Sequence, residues 1–193
     1  MNLVTLGEYH FGNHQFSNDN LACIVLGTGT GIGIILNGQL FRQAHELGHM
    51  AVKFDGRKCT SCGRSGCLEA YCSGNGLQNY YQELFKEKGL SIPETISVQE
   101  IFNGYKMRES IATVIVVDFI QALSCAMANI LLAFSITNFV IAGGISASFS
   151  VFQDQVKIHS KTRTMSNLSE FIVLSSTLSD YRQVFDFLRF YQF

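Results

Sequence analysis

The chain has 193 residues, 47% of them hydrophobic and 15% charged. That is enough apolar mass for the core of one ordinary domain, or one and a half small ones, and it excludes disorder as the main state. A net charge of −1 excludes a global basic field of the kind that draws nucleic acid or membrane phosphate.

Residues 2–12 read as the end of a helix with Gly12 as its stop. The opening MNLVTLGEYHFG has no basic segment ahead of an apolar run, so it is not a signal peptide and a cytoplasmic address is the default. In that compartment six cysteines are expected as thiols or metal ligands rather than disulfides. Residues 21–26 form a short apolar strand. A Gly/Thr stretch follows, then apolar 34–36 and Asn37-Gly38, a hairpin signal. Residues 50–54 suit another strand, and 55–67 a polar Gly/Cys loop. Residues 76–88 look helical and are closed by Gly89. Ile92-Pro93 breaks the chain. Ser97 with Glu100 three residues later makes a capping box for a short helix.

Residues 111–134 are apolar and long enough to span a bilayer. Asp118 and Gln121 at the middle argue instead for a long buried helix, since a mid-membrane Asp is expensive. Asp118, Gln121 and Ser124 would then share a polar edge at i, i+3 spacing. Residues 139–142 and 171–174 read as buried strands, the first followed by Gly143-Gly144. Strands first, then mixed helices and strands, indicate an α/β domain.

His49, Cys59, Cys62 and Cys67 form H-x9-C-x2-C-x4-C. Zinc takes four such ligands in a tetrahedron, and four protein ligands imply a closed, structural site. Arg57, Lys58 and Arg64 would help to deprotonate the thiols. Cys72 is a possible substitute ligand, but its apolar neighbours favour a buried thiol. Cys23 and Cys125 lie in apolar runs and read as core.

Two glycine stretches stand at strand ends. Leu26 to Gly33 reads L-G-T-G-T-G-I-G. It is neither a Walker A loop nor a dinucleotide fingerprint, and taken alone it suits a phosphate cradle or a plain hairpin equally. Gly143-Gly144 sits where a strand meets a helix, a place for a nucleotide, though alone the signal is weak. Glu46 and Glu69 flank the cysteine loop and could bind sugar hydroxyls together. Taken alone, two solvated acids are the simpler reading.

The residues from Leu26 to Gly74 resemble the ROK family of bacterial sugar kinases and regulators. L-G-T-G-x-G-x-G-I-I-x-N-G is met by Leu26 to Gly38, and E-x-G-H by Glu46 to His49. C-x-C-G-x-x-G-C-L-E-x-Y-x-S-G is met by Cys59 to Gly74, with C-x2-C in place of C-x-C. F-V-I-A-G-G-I-S, Phe139 to Ser146, resembles the adenosine-side motif. The resemblance covers roughly residues 1–150.

It implies an α/β fold of the actin-like ATPase (ribonuclease H-like) type, with this chain, residues 1–193, as the C-terminal lobe. It implies structural zinc on His49, Cys59, Cys62 and Cys67 in a loop over 49–67. Glu46, His49 and Glu69 would contact sugar hydroxyls. Gly27, Thr28 and Gly29 would lie near ATP phosphates, and Gly143 and Gly144 near the nucleoside. In the kinases an Asp deprotonates the attacking hydroxyl while Mg²⁺ screens charge. The expected partners are a small sugar and ATP, with a homodimer as the assembly and neither nucleic acid nor membrane.

Two departures accompany the match. There is no Asp-x-Gly-Gly-Thr phosphate loop. Met1-Asn2-Leu3 resembles the last part of the Asn-Asp-x-Asn motif, so the catalytic Asp is expected just upstream and the chain is expected to begin inside a longer frame. The tail over 175–193 lacks the family's Gly-Asp-Asp/Asn-Ala-Gly and is unusually aromatic, as a decayed gene or a shifted frame would make it. The expectation is a glucose-like hexose kinase whose 193 residues alone have little activity. N-acetylmannosamine, N-acetylglucosamine and fructose stay open as substrates. The alternatives are the effector domain of a sugar-responsive repressor and a non-catalytic zinc-binding remnant.

Overall fold

The architecture is that of a computed structural model, which describes residues 1–16, 18–42, 46–91, 95–165 and 171–178. Helix α1 (Asn2–Phe11) precedes strands β1 (Leu21–Leu26), β2 (Thr30–Leu36) and β3 (Gln39–Leu40). A 3₁₀ turn (Leu47–His49) and the cysteine loop lead to α2 (Glu69–Cys72), α3 (Gly74–Glu87), α4 (Val98–Lys106) and α5 (Ser110–Phe134). Then come β4 (Asn138–Ala142), a second 3₁₀ turn (Gly144–Ser148), α6 (Phe149–Lys161) and β5 (Ile172–Ser175).

The five strands form one sheet in the order β3-β2-β1-β4-β5. β1, β2 and β3 are an antiparallel meander, while β4 and β5 run parallel to β1. The meander is closed at Asn37 and Gly38, both at positive φ (51° and 74°), as a tight Asn-Gly hairpin requires. The run LACIVL of β1 is apolar throughout because both faces of the sheet are covered. Ala22, Ile24 and Leu26 join the large core beneath α5, whereas Leu21 and Cys23 face the α1 side with Val4, Leu6 and Tyr9.

α5 is the buried core helix expected. It is the one helix among the described residues long and apolar enough to cross a membrane, and it is mostly buried. Phe119 on α5 meets Phe102 of α4 and Phe152 of α6, with ring centroids 5.4 and 5.0 Å away. The expected polar edge divides. Asp118 is half-buried and bonded to Tyr80, Gln121 is exposed, and Ser124 is fully buried, its hydroxyl donating to the Ile120 and Val156 carbonyls. A row with 100° between residues drifts around the helix, so three positions need not share one environment.

The expected strand over 50–54 does not form. Ala51 makes one bridge to Cys67, and Val52 N–H donates to the Gly66 carbonyl at 2.8 Å. The chain turns at Asp55 (φ 50°) before a strand can extend. The remaining expected strands and helices stand within a few residues of their readings. The break at Ile92-Pro93 and the tail from 179 onward lie outside the described residues.

Candidate functional site

The site is assembled where the glycine turn after β1, the end of β4 and the N-terminal ends of α2 and α3 meet. Gly27 N–H donates to the Gly29 carbonyl at 3.0 Å and closes the turn on itself. The first amides of α3 hold it from outside: Gly74 N–H donates to the Gly27 carbonyl (2.7 Å), and Asn75 N–H to that of Thr28 (3.3 Å). Ser73 caps α3 by accepting from Gly76 N–H at 2.9 Å. Gly143 follows β4 at φ 88°, and a Cβ there would stand 2.4 Å from the Leu26 carbonyl oxygen. Only glycine lets the second glycine motif lie against the first.

Glu69, the first residue of α2, reaches the same turn. One carboxylate oxygen accepts from Thr30 N–H at 2.9 Å, and the other accepts from the Ser61 hydroxyl. Although partial burial works against ionisation, the bonds from Ser61 and Thr30 and the nearby His49 hold the pKa of its carboxyl below the usual carboxylate range. Thr28, Gly29, Cys59, Ser61, Glu69 and Asn75 line a cleft of about 230 Å³, somewhat below the ~300–1,000 Å³ of most small-molecule pockets. Glu46 is exposed, and its carbonyl accepts from His49 N–H at 2.8 Å in the 3₁₀ turn. That turn packs so closely on β2 that a Cβ on Gly48 would meet the Thr30 carbonyl oxygen at 2.0 Å.

The four expected metal ligands converge. One ligand atom from each of His49, Cys59, Cys62 and Cys67 lies within 4.8 Å of all the others. Cys62 and Cys67 Sγ are 3.4 Å apart, and Cys59 Sγ is 3.7 Å from His49 Nδ1. A tetrahedral zinc with Zn–S bonds of ~2.3 Å needs ligand atoms roughly 4 Å apart, so the donor set fits that ion in number, type and spacing. The loop is preshaped by Cys59 N–H donating to the Arg64 carbonyl and Gly63 N–H to that of Cys59, both 2.8 Å.

The Arg64 backbone N–H and the neighbouring Cys67 and Arg64 side chains lower the Cys62 thiol to about 7. Burial, reinforced by the adjacent Cys62, pushes Cys67 up to about 12. The expectation that three cations serve the thiols is corrected for Arg57. Its guanidinium donates instead to Glu83 and to the Ala70 and Gly76 carbonyls and lies over the Tyr80 ring at 4.0 Å. It clamps the loop to α2 and α3.

Cys72 is fully buried, its thiol pushed up by burial and donating to the Phe119 carbonyl at 3.6 Å, so it is core and not a ligand. Cys23 is core as expected, whereas Cys125 is only half-buried. Ser61 and the Thr30 amide are the site groups the sequence reading missed. The amide carried no signal, but Ser61 stood in the one place where the cysteine signature departs from its pattern.

The ROK family profile matches residues 1–185. A glucokinase of Pyrobaculum calidifontis is 34% identical over 144 residues, 72% of this chain and 46% of that protein. The xylose repressor of Bacillus subtilis is 38% identical over 104 residues, 52% of this chain and 26% of that protein. Among solved structures, a ROK family glucokinase from Streptomyces griseus in complex with glucose and AMPPNP superposes with a TM-score of 0.76 at 26% identity. That match covers 92% of this chain and 61% of the other. The chain spans about half the length of the glucokinases it matches. The sheet with helices on both faces and this likeness together bear out the actin-like ATPase architecture.

Proposed function

Since the chain belongs to the ROK family, we propose that its 193 residues form the C-terminal lobe of a kinase that phosphorylates a glucose-like hexose with ATP in the cytoplasm. The observation that carries this reading is the Glu69 carboxylate, held by the Thr30 amide directly beside the glycine turn. It puts an ionised acceptor for sugar hydroxyls next to a candidate phosphate cradle. In the proposal Glu46, His49 and Glu69 bind the sugar. The amides of Thr28 and Gly29 face the phosphates, because Gly27 N–H is used in closing the turn. Gly143 and Gly144 border the nucleoside. His49, Cys59, Cys62 and Cys67 hold a structural zinc that ties His49 to the loop carrying Glu69, and Mg²⁺ accompanies the nucleotide and screens its charge.

Phosphoryl transfer depends on positioning and on stabilising charge. These 193 residues contain neither an Asp-x-Gly-Gly-Thr loop nor an Asn-Asp-x-Asn motif, so the general base of the family is not among them. Loss of such a base typically costs about two to four orders of magnitude. The test is ATP-dependent phosphorylation of glucose, N-acetylmannosamine and fructose by this chain, with glucose binding measured alongside. Saturable glucose binding, lost in Glu69→Gln, with turnover below about 1 per second is expected. Faster turnover overturns the reading of low activity, and no saturable sugar binding overturns the sugar site. We expect a homodimer, on the family resemblance.

The likeness to the xylose repressor favours a second reading, a sugar-responsive effector domain. Titration with AMPPNP separates the two, since a kinase lobe binds it at the glycine turn and an effector domain binds sugar alone.

A further inference from the structure

We propose that Ser61 is a positioning residue for the Glu69 carboxylate, supplied by the extra residue of the Cys59-Thr60-Ser61-Cys62 turn. A C-x-C turn has one residue between its thiols; here there are two. The turn is closed through Gly63 and Arg64, and the added length carries the Ser61 side chain across to α2. Its hydroxyl lies 3.2 Å from Cys59 Sγ and donates to one oxygen of Glu69. The other oxygen is taken by Thr30 N–H. The carboxylate is therefore held from two directions, by the cysteine loop on one side and by β2 on the other.

A glutamate fixed at both oxygens does not lose rotamer freedom again when a ligand arrives, and such preorganisation raises affinity. Cys59 Sγ also lies 3.8 Å from the oxygen that Ser61 holds, but as a zinc-bound thiolate it has no proton to donate, and in the zinc-loaded chain each oxygen keeps a further lone-pair direction. The group that suits this arrangement is a vicinal diol, whose two hydroxyls donate one to each oxygen. The choice of a polyol ligand rests on the sugar-site reading above; the contact between Ser61 and Glu69 does not.

The experiment uses the zinc-loaded full chain and two readouts. The first is the Thr30 backbone amide by nuclear magnetic resonance, which reports the Glu69 contact without any ligand. The second is the glucose dissociation constant. In Ser61→Ala the Thr30 amide should shift and exchange faster, and glucose binding should weaken about tenfold, the scale of one hydrogen bond to a charged group. Zinc should stay at one per chain. Ser61→Thr, which keeps the hydroxyl, should restore both readouts to within about threefold of the parent.

A Thr30 amide in Ser61→Ala that matches the parent overturns the proposal. So does loss of zinc in that variant, which would make Ser61 a structural part of the metal loop. A displaced amide in a chain whose parent form binds no glucose upholds the positioning of Glu69 and overturns only the sugar-site reading.

Discussion

Cys62 and Cys67 lie 3.4 Å apart yet are driven in opposite directions, Cys62 down to about 7 by the Arg64 backbone amide and Cys67 up to about 12 by burial. Two consequences are measurable. In metal-free protein, iodoacetamide should label Cys62 first, with its rate half-maximal near pH 7, because the thiolate is the nucleophile. Cys67 should label slowly across the neutral range. A thiol with a lowered folded pKa is ionised above that value and reprotonates as pH falls through it. Zinc retention should therefore weaken as pH falls, and more steeply below about pH 7, where protons compete for Cys62 as well as for Cys67. Zinc analysis of the purified chain should find one ion per chain, and less than about 0.2 would exclude a closed four-ligand site. Cys62→Ser should lose the metal and loosen the loop over 49–67, because zinc binding and local folding are coupled.

Helix α4 is only nine residues long and begins with a complete capping box. Ser97 accepts from Glu100 N–H, while the Glu100 carboxylate accepts from both the amide and the hydroxyl of Ser97. Ser97→Ala should cost about 1 kcal/mol in urea unfolding, the usual worth of an N-cap. The Ser97 bonds hold Glu100 below the usual carboxylate range. Its contribution is thus present above the unfolded-state value and is lost as pH falls through the folded one. Glu100→Gln should accordingly flatten the acid side of the stability profile. The helix matters beyond its own length, since Ile101 and Phe102 are fully buried under it and Phe102 meets Phe119 of α5.

At the scale of the whole molecule, α1 and the turn after it are tied to the far edge of the sheet through a buried hydrogen-bonded cluster. Glu8 and His14 are 2.9 Å apart with both side chains almost fully excluded from solvent. The Ser176 hydroxyl, just past β5, donates to Glu8, and Asn13 N–H donates to Thr177 Oγ1 at 2.9 Å. The contact closes a separation of 168 residues. His14→Ala should destabilise the chain by about 2 kcal/mol, because removing one partner takes a hydrogen bond from the buried Glu8 side chain. Urea unfolding of His14→Ala, Glu8→Gln and the double variant checks this. The pairing predicts that the double variant loses less than the sum of the singles.

Local pattern by itself determined the strands of the meander, the capped helix α4, the buried α5 and the four residues that converge as candidate metal ligands. Each depends on neighbours in sequence: an apolar run, an Asn-Gly pair, a Ser-x-x-Glu box, thiols spaced for one ion. The expected strand over 50–54 failed because its fate depended on what lay opposite. Residues 66–68 turn away after one bridge, and no apolar spacing within 50–54 encodes that. The same limit applied to the charges, where Arg57 looked like a partner for the thiols until α3 offered Glu83 and two helix carbonyls. Taken alone, without the family resemblance, Glu69 read as a solvated acid for the same reason. Its acceptor geometry is set by the Thr30 amide, 39 residues earlier, and by Ser61 eight residues before it. Only the close approach of β2, the cysteine loop and α2 brings those donors to one carboxylate. Hydrogen bonds act over about 3 Å, so which groups exchange them is decided by packing that no local stretch of residues contains.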